Sequence, residues 1–186
     1  MLTSLEIPAG VTEIGDRAFL NCHSLERIQI PAGVLSIGGG AFSCCDKLTE
    51  IPVAATNPNY VSTDGVLYTR DMQTLLCYPA GREGSYFRVP DGVSSIEYWA
   101  FGDCKNLTEV VIPFGVESLN RAFGGCRNLT AVHIPESVTS IGSLSFDFCY
   151  NLTDVYYGGT QASWNAISVG SLNDLLLNAT IHFNTN

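Results

Sequence analysis

A 23-residue period leaves this chain very few folds. Leu2, Leu25 and Leu48 stand 23 residues apart, and each is followed three and five positions later by apolar residues: Leu5 and Ile7, Ile28 and Ile30, Ile51 and Val53. The pattern returns at Leu107, Leu129 and Leu152, with Val110 and Ile112, Val132 and Ile134, and Val155 and Tyr157 in the same places, at spacings of 22 and 23 residues. Self-similarity at this period marks a solenoid, in which one short unit too small to bury its own apolar side stacks on the next.

Each part of the unit has a physical role. In L-x-x-I-x-I-P the last two apolar residues alternate with an outward one, the period of a strand buried on one face. Pro8, Pro31, Pro90, Pro113 and Pro135 then remove a backbone donor and end that strand. A glycine two residues on (Gly10, Gly33, Gly92, Gly115; Ser137 in the last copy) and a V-x-x-I pair predict a turn and a second short extended segment. Ala-Phe at 18–19, 41–42, 100–101 and 122–123, with Ser145-Phe146 last, is followed three residues after each Phe by Cys22, Cys45, Cys104, Cys126 and Cys149. A Phe and a Cys at i and i+3 meet on one side of a single helical turn, so both are predicted to point inward.

The regular spacing divides the chain into repeats over 1–53, an insert over 54–83, further repeats over 84–157 and a tail over 158–186. Within the insert, V-L-Y at Val66–Tyr68 and L-L-C-Y at Leu75–Tyr78 flank the polar T-R-D-M-Q-T, which predicts a hairpin protruding from the stack. In the tail, Thr160 is a candidate N-cap, Trp164 and Ile167 share a face of a short helix, and Ala179 to Phe183 alternates as a strand. With Leu172, Leu175, Leu176 and Leu177, this reads as a C-terminal cap, with Trp164 as core. The first repeat follows Met1 directly, without a signal peptide or polar capping unit, as expected of a piece of a longer protein. An uncovered first strand also offers an edge for self-association.

Chemistry is sparse. The formal charge of −9 disfavours nucleic acid and anionic membranes, and no apolar run is long enough to span a bilayer. Five of the seven cysteines lie in the repeat column, where a buried reduced thiol is expected; Cys44 and Cys77 fall outside it. His23, His133 and His182 lie far apart in register, and no metal, nucleophile-elbow or phosphate-loop motif occurs. No catalytic residue, metal or cofactor is expected. Sequons begin at Asn106, Asn128, Asn151 and Asn178; the first three fall at unit junctions, where a left-handed asparagine ending a helical turn is the expected role.

The string I-P-x-G-V-x-x-I-G-x-x-A-F-x-x-C, nearly intact in Ile7–Cys22 and Ile30–Cys45, resembles the BspA-like leucine-rich repeats, also called the TpLRR class. The module N-P-N-Y-V-S-T-D-G-V-L-Y of Asn57–Tyr68, the Y-Y-G-G-T-Q-A-S-W-N-A-I of Tyr156–Ile167 and the N-A-T-I-H-F of Asn178–Phe183 resemble modules of the same class. The resemblance covers essentially the whole chain. It implies a β-rich α/β leucine-rich-repeat solenoid of about six to seven units, with a parallel sheet on the concave face, short helical turns, the insert and the cap. It further implies a secreted or surface-attached bacterial protein that adheres to host proteins. Asn120 and Glu97 at repeat glycine positions, with one residue missing before Ala122, disturb local regularity only.

The exposed strand positions are the candidate binding face. One row should carry Ser4, Arg27, Glu50, Glu109, Ala131 and Asp154, and the next Glu6, Gln29, Arg88, Val111, His133 and Tyr156. These vary while the buried columns repeat, as a binding surface does and as unconstrained solvent-facing positions also do. The leading expectation is a noncatalytic extracellular module for adhesion to a host or extracellular protein, through Arg27, Gln29, Glu50, Arg88, Glu109, Val111, His133, Asp154 and Tyr156 or through the insert. A spacer projecting another domain is the alternative, and a glycan-binding module using Tyr60, Tyr68, Tyr78 and Tyr98 is a third.

Overall fold

The computed structural model describes residues 3–185, so Leu2 lies outside the described residues. The first turns carry β1 (Ser4–Glu6), β2 (Glu13–Ile14), β3 (Arg27–Gln29) and β4 (Ser36–Ile37), and the insert carries β5 (Tyr60–Thr63), β6 (Val66–Thr69) and β7 (Thr74–Cys77). Then follow β8 (Tyr86–Arg88), β9 (Ser95–Ile96), β10 (Glu109–Val111), β11 (Ser118–Leu119), β12 (Ala131–Ile134), β13 (Ser140–Ile141) and β14 (Asp154–Tyr157). The cap adds α1 (Gln161–Asn165), β15 (Ser168–Val169), α2 (Asp174–Leu177) and β16 (Thr180–Phe183). With insert and cap included, the solenoid has about eight turns of about 23 residues.

Stacking puts like residues in register. β1 pairs parallel with β3, Leu5 opposite Ile28, and Arg27 bridges in parallel to Glu50 in the third turn. Downstream, β8, β10, β12, β14 and β16 form one parallel five-stranded sheet. Its inward column of Val110, Val132 and Val155 is fully buried, while the residues on either side of each point out. The short β2 and β4, and β11, β13 and β15, make a second set of parallel pairs across the core, while β9 pairs in parallel with β7.

The Ala-Phe-x-x-Cys segment is a run of tight turns, not a helical turn. The amides of Cys22, Cys104, Cys126 and Cys149 each donate to the carbonyl of the Phe three residues earlier, at 3.2–3.3 Å. Two left-handed residues bend each turn: Arg17, Gly40, Trp99, Arg121 and Leu144 before the Ala or Ser, and Asn21, Cys44, Asp103, Gly125 and Phe148 before the Cys. Cys44 thus occupies a regular position, the left-handed one. Asn106 and Asn128 do not take that conformation; their amides donate to the Arg82 and Lys105 carbonyls of the preceding turn at 3.0 and 2.8 Å. Asn151 instead reaches the Asn128 side chain at 3.5 Å.

Phe and Cys both point inward, as the spacing requires. Phe101 stacks between Tyr78 and Phe123, and Phe123 on Phe146, with ring centroids 4.8–5.4 Å apart. The thiols of Cys45, Cys126 and Cys149 donate to the carbonyls of Phe19, Phe101 and Phe123 one turn back, at 3.0–3.2 Å. All seven cysteines are free. Burial pushes the Cys45 thiol up to about 12 and raises those of Cys44, Cys77, Cys104 and Cys149 as well.

The insert does not protrude; it is an internal partition. β5, β6 and β7 form an antiparallel meander, and β7 joins β9 in parallel. Side chains alternate along it: Tyr60, Leu67 and Cys77 enter the core of the first three turns, whereas Val66, Tyr68, Leu75 and Tyr78 enter the core of the later ones. Tyr60, Tyr68 and Tyr78 are therefore buried and cannot serve as glycan platforms. Tyr78 takes the place of the repeat Phe, its amide donating to the Ala100 carbonyl at 2.8 Å. Burying both faces of the meander gains more apolar contact than a solvated hairpin could, which is why these runs fold inward.

The cap carries the sheet onward. β16 pairs with β14 in register, Tyr156 opposite His182. Thr160 caps α1 in a reciprocal box with Ser163, and Trp164 packs edge-on against Tyr157 at 5.2 Å. Leu176 is fully buried.

Candidate binding face on the parallel sheet

Because strand side chains alternate, the five-stranded sheet presents two outward rows. One runs Tyr86, Glu109, Ala131, Asp154, Thr180; the next runs Arg88, Val111, His133, Tyr156, His182. Parallel register brings outward rings on neighbouring strands face to face at the interstrand spacing. His133 stacks on Tyr156 and Tyr156 on His182, each at 4.6 Å between centroids and within 16° of parallel. Each imidazole is also tied to a carboxylate in the other row. His133 Nε2 lies 2.9 Å from Glu109 Oε1, and His182 Nε2 lies 2.7 Å from Asp154 Oδ1. The bond from His182, joined by the Thr153 hydroxyl, holds the Asp154 carboxyl below the usual carboxylate range.

Beside this stack lies a groove of about 460 Å³, lined by Tyr86, Arg88, Glu109, His133 and Tyr156 and walled by Phe114. Phe114 is 74% exposed and Tyr86 52%. Arg88 is exposed, 3.4 Å from Asp91.

The nine candidate residues fall into two groups. Arg88, Glu109, Val111, His133, Asp154 and Tyr156 share the five-stranded sheet, whereas Arg27, Gln29 and Glu50 lie on the other side of the insert. In that second group Arg27 Nε lies 2.6 Å from Glu50 Oε1, both side chains about half exposed, so water screens the pair. Three members of the face escape the sequence reading: Tyr86, Thr180 and His182. His133 and His182 share one outward row, separated only by Tyr156, rather than lying apart in register. The signal was the H-F of Asn178–Phe183, which aligns with Y-Y of Asp154–Tyr157 once the tail strand is counted as another turn.

Both imidazoles are committed to carboxylates, and among the described residues no three His, Cys, Asp or Glu side chains converge as metal ligands. Stacking secures the ring faces and turns their edges outward, giving a rigid amphipathic ridge beside a groove with an aromatic wall. Among the described residues, no helix is long and apolar enough to cross a membrane.

Comparison with known proteins fits this architecture. A leucine-rich-repeat protein from Eubacterium ventriosum is 31% identical, with a TM-score of 0.83 over 97% of this chain and 48% of that one. The pneumococcal vaccine antigen PcpA, at 20% identity, shares the fold with a TM-score of 0.72 over 100% of this chain and 57% of that one. The chain therefore spans about half the length of these solved relatives. No curated protein matches it. The model of the BspA-type leucine-rich-repeat region matches six copies over residues 1–63 and 81–184, leaving out the middle of the insert. By that match and by its stacked turns, the chain belongs to the BspA-type leucine-rich-repeat family.

Proposed function

We propose that this chain is a noncatalytic protein-binding module that works outside the cell or at its surface, with the face of the five-stranded sheet as its contact. The observation that carries this reading is the ordered ridge His133–Tyr156–His182 beside the groove walled by Phe114 and Tyr86. Rigid aromatics with a polar end supply contact area at little entropic cost, and such residues dominate binding hot spots. Membership in a family that is generally non-enzymatic supports the noncatalytic part.

The test is capture of extracellular-matrix proteins on the immobilised chain. Replacing Tyr156 and Tyr86 by Ala should weaken capture at least about 30-fold, the effect of losing a central aromatic anchor. Glu50→Lys, across the insert, should capture like the wild type. Equal capture by the wild type and the Tyr variant would remove this face from the contact. No capture by either would favour a spacer.

A further inference from the structure

The partition that fills the core also opens a notch on the side of the tight turns. From β7 the chain runs straight through Cys77 into Tyr78, without the left-handed residue (Arg17, Gly40, Trp99, Arg121 or Leu144) that bends the other turns before their Ala-Phe or Ser-Phe. The bend of the second turn and that of the turn after the insert therefore meet directly, the Ser43 hydroxyl donating to the Trp99 carbonyl at 3.1 Å. Between them is a recess of about 370 Å³. Gly40 keeps it open. At φ +64° it lies in the left-handed region, and a Cβ there would sit 3.3 Å from Ser43 Oγ and 3.8 Å from both Arg17 and Trp99.

Two guanidiniums converge on this recess. The Arg17 and Arg121 guanidiniums lie 5.9 and 5.8 Å from the Tyr98 ring, and that of Arg121 lies 5.1 Å from the Trp99 ring. Arg121 donates to the Tyr98 hydroxyl at 2.9 Å. Neither arginine has a carboxylate within salt-bridge distance among the described residues, although the chain carries 18 acidic residues against nine basic ones. Asp103 also lines the recess, which therefore carries two guanidiniums against one carboxylate. Asp16 accepts from the Gly39 amide at 2.9 Å, Glu97 from the Tyr98 amide at 2.8 Å, and Asp103 sits beside the Cys44 thiol. Burial alone would raise the Tyr98 phenol, but its contact with Trp99 and the charges of Arg121 and Arg17 hold it below its ordinary range. Arg121 spends one guanidinium donor on the Tyr98 hydroxyl, and a guanidinium carries five, in a fork that matches a planar or tetrahedral oxyanion.

We infer that the Arg17–Tyr98–Arg121 notch is a second binding site, separate from the sheet face, for a sulfate or carboxylate group carried on a ligand about the size of one sugar ring. The recess is at the small end of ligand-site volumes. The Trp99 ring is already occupied as a stacking platform: a Cβ at Gly124 would lie 3.4 Å from it, and the Arg121 guanidinium lies 5.1 Å from its centroid.

The test is titration with sodium sulfate and sodium glucuronate at ionic strength fixed with sodium chloride, with glucose as the neutral control. Binding is read as Trp99 emission in a Trp164→Phe background and by calorimetry on the unmodified chain. At least one of the two anions should bind saturably and glucose should not. Arg121→Lys and, separately, the exposed Arg17→Ala should each weaken binding about tenfold, the loss of one charge-assisted hydrogen bond. Tighter glucuronate than sulfate assigns a carboxylated sugar, and the reverse assigns a sulfated ligand. No saturable binding of either anion, or unchanged affinity in both arginine variants, overturns the site and leaves the sheet-face reading untouched.

Discussion

Phe101 is fully buried between Tyr78 and Phe123, at centroid separations of 5.4 and 4.8 Å. Phe101→Ala should cost about 3–5 kcal/mol in a denaturant melt, the range for a truncated core aromatic; a shift under about 1 kcal/mol would mean the column is not core. The thiol column makes an alkaline prediction. Cys45 titrates at about 12 in the fold against 9.0 for a free thiol. The unfolded chain thus gives up its proton first, so the contribution of Cys45 is complete below pH 9 and is lost as pH rises toward 12. Denaturation midpoints should fall across that window, less steeply in Cys45→Ala. Seven thiols should react with a thiol reagent after unfolding and few before. Asp154 carries the opposite sign: with its folded pKa depressed, its contribution is present above the ordinary carboxylate range and lost as pH falls below it. The inward residues were legible because each recurs at a fixed spacing. The left-handed positions were not, since Arg17, Trp99, Phe148 and Cys44 share a backbone conformation and no side-chain chemistry.

Among the elements, the insert shows where local signals were read and where they were missed. T-D-G-V forms the tight turn between β5 and β6, with φ of +51° at Asp64 and +81° at Gly65. Asp-Gly between alternating apolar residues is the usual mark of such a hairpin. Reading only the two downstream apolar runs located β6 and β7 and left out β5. The polar link between those runs predicts a protruding hairpin, and the hairpin forms without protruding. Its actual place depends on contacts distant in sequence, such as the Ile51 amide donating to the Gly65 carbonyl at 2.9 Å. A Cβ at Gly65 would lie 3.0 Å from that of Glu50. Gly65→Val, a branched residue at positive φ against that contact, should cost more than about 2 kcal/mol in chemical unfolding. Asn57 is the other fixed point. Its amide donates to the Pro31 and Val34 carbonyls at 2.8 and 2.9 Å, and its carbonyl accepts from the Asn59 and Tyr60 amides at 2.9 Å. Asn57→Ala leaves these groups unpaired at a buried site and should cost about 3 kcal/mol in the same assay.

Over the whole molecule the partition separates two cores, the smaller formed by the first three turns and the larger running from the insert to the cap. In a solenoid each turn is supported only by its neighbours, so the parts need not open together. Amides of residues 7–51 should exchange with solvent at lower denaturant than those of 89–157; simultaneous exchange throughout would show one cooperative unit instead. The candidate face follows the same division, which explains why six of its nine expected members share a sheet and three do not. A row of equivalent positions can be written from the period alone, but where the row is cut depends on how the insert folds. The partition also bears on assembly of the chain. Near-identical turns can dock one full repeat out of step, each Ile column still meeting another Ile column. Tyr78 in the Phe column and Gly65 against Glu50 fit only one neighbour on either side. The odd turn therefore acts as an index mark, from which the turns before and after it are counted off in the correct order.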